Sequence, residues 1–374
     1  MDSTSQLHEW DLVGSGIPAK PATSEYGYVI QGRAIGTTRE QLVERVQYNP
    51  DITHVWTPDT PEPVEPQKVS FLLDVLRANL RTQARNSILL GLALVAFALM
   101  IATIRHDWSL IFINLFFVFG GAAIVEGIWR YVTLRHYAPE EAVSEISAAR
   151  FSEWLKKKSL SGYTLTLAAC LILVAVVQSV SNFSVEAAGL VKPEVWHGQG
   201  WRVFTATLMH AGAAHFFLNF LALVQLAKII EHTVHRVFVP LVFLFSGAVG
   251  SVFSVVLYPN STSVGASGGL MGLLGFITMA AYFDRTRYPP RYFRLMIEAI
   301  GFIGVFGLLG FAFIDNGAHL GGLLCGLWIG WLCFKEKGRW IKDHEKLIKV
   351  GGAVALFAVT VITAYTVQRL LNSL

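Results

Sequence analysis

The sequence predicts an all-α polytopic membrane protein preceded by a small soluble α/β module, and three observations carry that reading. Of 374 residues, 53% are hydrophobic and only 15% are charged, and the mean hydropathy is +0.49, too apolar for a soluble domain of this length. Apolar runs that approach the thickness of a bilayer recur about nine times between residues 87 and 368. The connections between them alternate, some crowded with Lys and Arg and the others nearly without them.

The same composition excludes other classes. The formal net charge of +4 is modest, and the basic residues cluster beside apolar segments instead of forming a run interleaved with aromatics, so no nucleic-acid partner is expected. Cys170, Cys325 and Cys333 all fall inside apolar runs and read as small buried hydrophobes. Neither a disulfide framework nor a metal site is expected, and no cofactor is implied. The first eighty residues are mostly polar, with no charged n-region and apolar h-region at Met1, so a cleaved signal peptide is not expected.

Residues 1–68 form the first region. Residues 1–25 hold Gly, Pro, Ser and Thr with little periodicity. Tyr26 to Ile30 is strand-like, Thr37-Thr38-Arg39-Glu40 resembles a capping box opening a helix through Val46, and Ile52 to Trp56 is strand-like again. A β-α-β fragment this short has a minimal core, which suits a cytosolic module better than an enzyme. Thr57 to Lys68, rich in Pro and Glu, reads as a stiff extended linker.

Residues 69–161 form the second region. Ser70 to Asn86 is an amphipathic juxtamembrane helix with Arg77, Arg81 and Arg85 on one face, where anionic lipid would attract them. Two additional spans follow, Ser87 to Ile104 and Ser109 to about Ile128. Pro139-Glu140-Glu141 then opens a helix that Lys156, Lys157 and Lys158 close, in keeping with the helix dipole.

A core of six spans occupies 162–334, at roughly 162–180, 212–230, 237–257, 267–283, 295–312 and 317–334. The last region, 335–374, is a basic cytosolic segment and one further span at 351–368. Basic residues crowd 156–158, 228–236, 285–294 and 335–349, whereas 105–108, 181–211, 258–266 and 313–316 nearly lack them. By that asymmetry the N-terminus is cytoplasmic and the second set of connections faces outward.

Polar residues inside the spans then draw attention, because they are costly there. His215 and Asn219 lie one turn apart near the outer end of one helix, Ser267 begins a second and His319 begins a third. Gly268, Gly272 and Gly275 follow Ser267, while Gly322, Gly326 and Gly330 follow His319, so both helices carry small-residue stripes that allow close approach. Taken singly, Ser267 could be a helix cap, His215 a satisfied core histidine and Asn219 an interhelical hydrogen bond. Three separate helices present Ser, His and a His/Asn pair on one side of the membrane at similar depth, a convergence that marks a functional site in which Ser267 reads as a nucleophile.

The motifs are Trp201-Arg202 in the first outer connection, His210 and His215 followed by Asn219, Gly265-Ala266-Ser267-Gly268, and Ala318-His319 followed by Gly322 and Gly326. Over 162–334 the chain resembles the rhomboid intramembrane serine proteases. That resemblance implies a six-helix rhomboid core in which Ser267 is the nucleophile and His319 the general base. It implies an oxyanion hole of His215, Asn219 and the Ser267 amide, with Trp201, Arg202, His210, Gly265, Gly268 and Gly322 as structural neighbours of the site. The implied partners are transmembrane protein substrates and the lipid bilayer, and the implied reaction is their cleavage near the outer membrane boundary. A bacterial inner membrane is the expected location. The alternative is a non-catalytic rhomboid-like protein that escorts membrane clients. Asp315, four residues before His319, invites a triad, although a helix cap is the expected role. Met271 departs from the aromatic found at this position in some members of the family.

Overall fold

The computed structural model describes residues 18, 20–21, 24–30, 32–49, 52–60, 62–105, 115–136, 139–180, 185–285, 287–309, 314–336 and 338–373. The expectations for residues 1–17, for the start of the second span at 109–114 and for the end of the span at 310–312 lie outside the described residues. The chain divides into two compact units, 1–154 and 155–374.

In the first unit, strands β1 (Tyr26–Ile30), β2 (Arg33–Thr37) and β3 (Ile52–Trp56) form an antiparallel sheet in the order β2-β1-β3, crossed by helix α1 (Arg39–Tyr48). The expected β-α-β fragment therefore gains a strand. β2 is an edge strand that buries none of its residues, so it carries no apolar alternation to reveal it. The α1 cap is Thr38, whose Oγ1 accepts from the Gln41 N–H, while Gln41 Oε1 accepts from the Thr37 hydroxyl. The cap thus lies one residue later than the sequence suggested, with Gln41 at the third helical position and its side chain on the Thr37 hydroxyl.

Residues 57–68 do not run out as an extended linker. Val64 exchanges backbone hydrogen bonds with Val55, and Pro66–Lys68 makes a 3₁₀ turn. This return buries Val69 and Leu72 with Leu42, Ile52 and Val55 in one core. The juxtamembrane helix and the first expected span form one continuous helix, α2 (Ser70–Arg105). It packs antiparallel on α3 (Leu115–His136), with Gly91 against the Gly120 carbonyl and Gly127 against the Ala84 carbonyl. Helix α4 (Pro139–Lys156) starts at the expected proline.

The second unit is a helical bundle. Its long helices are α5 (Gly162–Val180), α8 (Ala213–Thr233), α9 (Phe238–Leu257), α10 (Ser267–Phe283), α11 (Tyr292–Leu309), α12 (Asn316–Phe334) and α14 (Glu345–Leu371). The basic connection before α14 contains a short helix, α13 (Arg339–Asp343). Among the described residues six helices are long and apolar enough to cross a membrane: α2, α5, α8, α9, α12 and α14, with α10 a shorter apolar helix of 17 residues. Large apolar side chains such as Phe357 on α14 and Trp328 on α12 are mostly exposed, as lipid-facing residues are. The protein is an integral multi-pass membrane protein.

At the bundle centre α10 and α12 run parallel in direct contact, and α9 packs antiparallel against both. A Cβ on Gly322 would stand 2.0 Å from the Gly268 carbonyl oxygen, and one on Gly326 would stand 2.0 Å from that of Gly272. Gly250 of α9 meets the Ala318 carbonyl in the same way, at 2.5 Å. The starts of α10 and α12 are thereby brought to one end of the bundle. The 185–212 connection covers that end with β4 (Leu190–Val191), α6 (Lys192–Trp196) and α7 (Arg202–Thr205).

Candidate active site

Ser267 opens α10 and is half-buried. The residue two before it, Gly265, has φ +143°, a conformation that side-chain-bearing residues avoid. Its N–H donates to the Ala206 carbonyl at 3.0 Å, which pins the loop to the 185–212 connection. The same loop carries β5 (Thr262–Ser263), paired antiparallel with β4, Leu190 opposite Ser263 and Val191 opposite Thr262. A short strand pair therefore holds the approach to Ser267, where the sequence showed only a charge-free loop.

His215 lies in the first turn of α8. A Cβ on Gly265 would be 2.9 Å from His215 Cε1, 3.1 Å from its Nε2 and 3.6 Å from Ser267 Oγ, so the imidazole and the hydroxyl flank one point. His215 Nδ1 accepts from the Ala211 N–H at 3.4 Å, which leaves the proton on Nε2, the nitrogen facing that point. Asn219, buried one turn on, donates from Nδ2 to the His215 carbonyl at 2.8 Å. An amide nitrogen has two hydrogens, so one donor remains.

His319 lies in the first turn of α12 and is half-buried. The preceding carbonyl, that of Ala318, would be 3.3 Å from a Cβ on Gly268, the residue after Ser267. The structure thus brings Ser267, His215, Asn219 and His319 to one end of three adjacent helices. Asp315 caps α12: its Oδ1 accepts from the Ala318 N–H at 3.0 Å, as a cap should. Its Oδ2 accepts from the Ser254 hydroxyl and so points to α9.

His210 sits in the connection before α8 and is fully buried. Its ring lies edge-on to His215, with centroids 5.4 Å apart, and edge-on to Phe216. Burial, with a smaller contribution from His215, pushes its pKa down to about 3. Its backbone is held from both sides by the buried Gln178 of α5, which donates to the His210 carbonyl at 2.7 Å and accepts from its N–H at 3.0 Å. Sequence reasoning missed Gln178. The available signal was a lone amide deep in an apolar run.

Arg202 is buried and works as a scaffold. Its Nη1 donates to the carbonyls of Glu186 and Gly189 and its Nε to Gln199 Oε1, which ties the connection to itself. Trp201 stacks beside it and also meets α14, with Tyr365 edge-on at 5.3 Å and the Arg369 guanidinium 5.0 Å from the indole centre.

Comparison with known proteins agrees with this architecture. A family model described as Rhomboid domain matches residues 197–336, the stretch that holds all four polar residues. Curated relatives include the putative rhomboid protease YdcA of Bacillus subtilis, 29% identical over 39% of this chain and 73% of its own length. Residues 197–336 are thus a rhomboid domain. Other relatives are the rhomboid protease GluP of Bacillus subtilis, 33% identical over 34% of this chain and 25% of its own length, and RHOMBOID-like protein 6, mitochondrial, of Arabidopsis thaliana. The last is 32% identical over 42% of this chain and 52% of its own length. The chain spans about half or less of the length of the Arabidopsis relatives it matches.

Proposed function

We propose that the chain is an intramembrane serine endopeptidase of the rhomboid type, with Ser267 as nucleophile and His319 as general base. The observation that supports this reading is a pair of close approaches: Gly265 lies against both the His215 imidazole and the Ser267 hydroxyl, and Gly268, next after Ser267, meets the carbonyl of Ala318, next before His319. His319 takes the Ser267 proton as Oγ attacks the scissile carbonyl, then returns it to the leaving amine. Water repeats the cycle on the acyl-enzyme. The negative charge on the carbonyl oxygen is met by the Nε2–H of His215, the remaining Nδ2–H of Asn219 and the Ser267 amide, at the positive end of α10.

Substrate is a membrane-spanning protein, cleaved near the membrane boundary on the side where the basic-poor connections lie. Charge asymmetry makes that side the outer one, with the N-terminus inside. Entry beside α11 fits its surroundings, because Gly301 and Gly304 face open space, whereas Gly307 is held by Asn316, whose Nδ2 donates to its carbonyl at 3.0 Å. Labelling of the purified full chain with a fluorophosphonate tests the reading. Wild type should label and Ser267→Ala should not. Absence of labelling in folded wild type would favour a rhomboid-like protein that binds membrane clients without cutting them.

A further inference from the structure

Lys192 stands in a connection that is otherwise nearly free of basic residues, yet its side chain is 1% exposed. Its Nζ donates to Ser261 Oγ at 2.6 Å, lies 3.6 Å from Asp315 Oδ2 and faces the Tyr258 ring at 5.4 Å. Its backbone N–H donates to the Ser261 carbonyl at 3.4 Å. A buried ammonium is costly unless paired, and the pair is built to stay charged. Burial pulls the Lys192 pKa down against the pull of Asp315. Burial would raise the Asp315 carboxyl, but Ser254, Ser263, the Ala318 amide and Lys192 together hold it below its ordinary value.

The three residues belong to three different segments. Ser261 lies six residues before Ser267, on the loop that delivers the serine. Asp315 lies four before His319 and caps its helix. Lys192 follows β4, which pairs with β5 on the serine's loop. A single side chain therefore touches the approach to both reacting groups.

We propose that Lys192 is a positioning residue, bridging Ser261 and Asp315 so that the loop delivering Ser267 and the helix start delivering His319 keep one register. This rests on the protease reading above. It differs from charge balance alone, which would ask only that no carboxylate be left buried and unpaired.

The test uses the full chain in bilayer nanodiscs and compares wild type, Lys192→Met, Asp315→Asn and the double variant. Thermal midpoint, fluorophosphonate labelling rate, and kcat and KM on a reconstituted membrane substrate are read together. Lys192→Met should lower both the midpoint and the labelling rate. The double variant should regain the midpoint, because Asn still caps α12 and no charge is stranded. Its labelling rate and kcat should nevertheless stay down by about tenfold with KM little changed, as misplacement of reacting groups requires. Wild-type labelling in the double variant, or its failure to fold, would overturn the proposal by leaving Lys192 only a charge or scaffold role. A folded wild type that does not label would instead overturn the protease reading itself.

Discussion

Gly265 faces His215 so closely that a single methyl group would stand 2.9 Å from the imidazole Cε1. The positive φ at the same residue adds an independent objection to any side chain there. Gly265→Ala should therefore strain the loop by about 1–3 kcal/mol and push the imidazole off the point it shares with Ser267. Activity should fall by more than the loss of folded protein accounts for. Substrate cleavage normalised to a folded fraction from thermal unfolding checks this, and equal losses would refute it.

Ser267 and His319 are expected to act as a unit, each being useless without the other. Removing either should abolish turnover, and removing both should cost little more. Single and double alanine variants on a reconstituted membrane substrate provide the measurement; additive losses would argue against a shared proton transfer.

Asn219 should behave differently. It has one free N–H to offer, and the His215 ring and a backbone amide remain when it goes. Asn219→Ala should keep measurable activity while losing on the order of 10² to 10³ in rate, about 3–4 kcal/mol, chiefly in kcat. Complete inactivation of a folded variant would assign Asn219 a different task.

His210 predicts an acid dependence of stability. Its pKa falls from 6.5 in an open chain to about 3 when folded, so between those values the unfolded chain binds a proton that the native state refuses. Stability is complete above pH 6.5 and declines as pH drops toward 3, by up to about 1.4 kcal/mol per unit from this group. His210→Phe should flatten that part of the profile, as followed by thermal midpoints across pH 4 to 7.

The long apolar runs and the four polar residues were legible in the sequence because both are local signals: hydrophobic length for the spans, and short motifs at helix starts for the site. What was hidden depends on partners far along the chain. β2 is exposed on an edge, and the fold-back of 57–68 rests on Val55 and Val64 finding each other. Lys192 could be read only as a stray cation until Asp315, more than a hundred residues on, was placed beside it. Gln178 hides in the same way, its side-chain hydrogen bonds to the His210 backbone joining α5 to a loop. The additional helix α14 showed no sequence tie to the site, yet Tyr365 and Arg369 bring it against Trp201.

Where the helices that start at Ser267 and near His319 first meet, backbone lies against backbone: Gly322 against the carbonyl of Gly268 and Gly326 against that of Gly272. Backbone has no alternative rotamer. The spacing of the two helix starts therefore cannot drift as side chains loosen on warming, and it cannot be retuned by exchanging one residue for a slightly larger one. On heating, the site should hold its geometry until these helices separate, and then lose it in a single step.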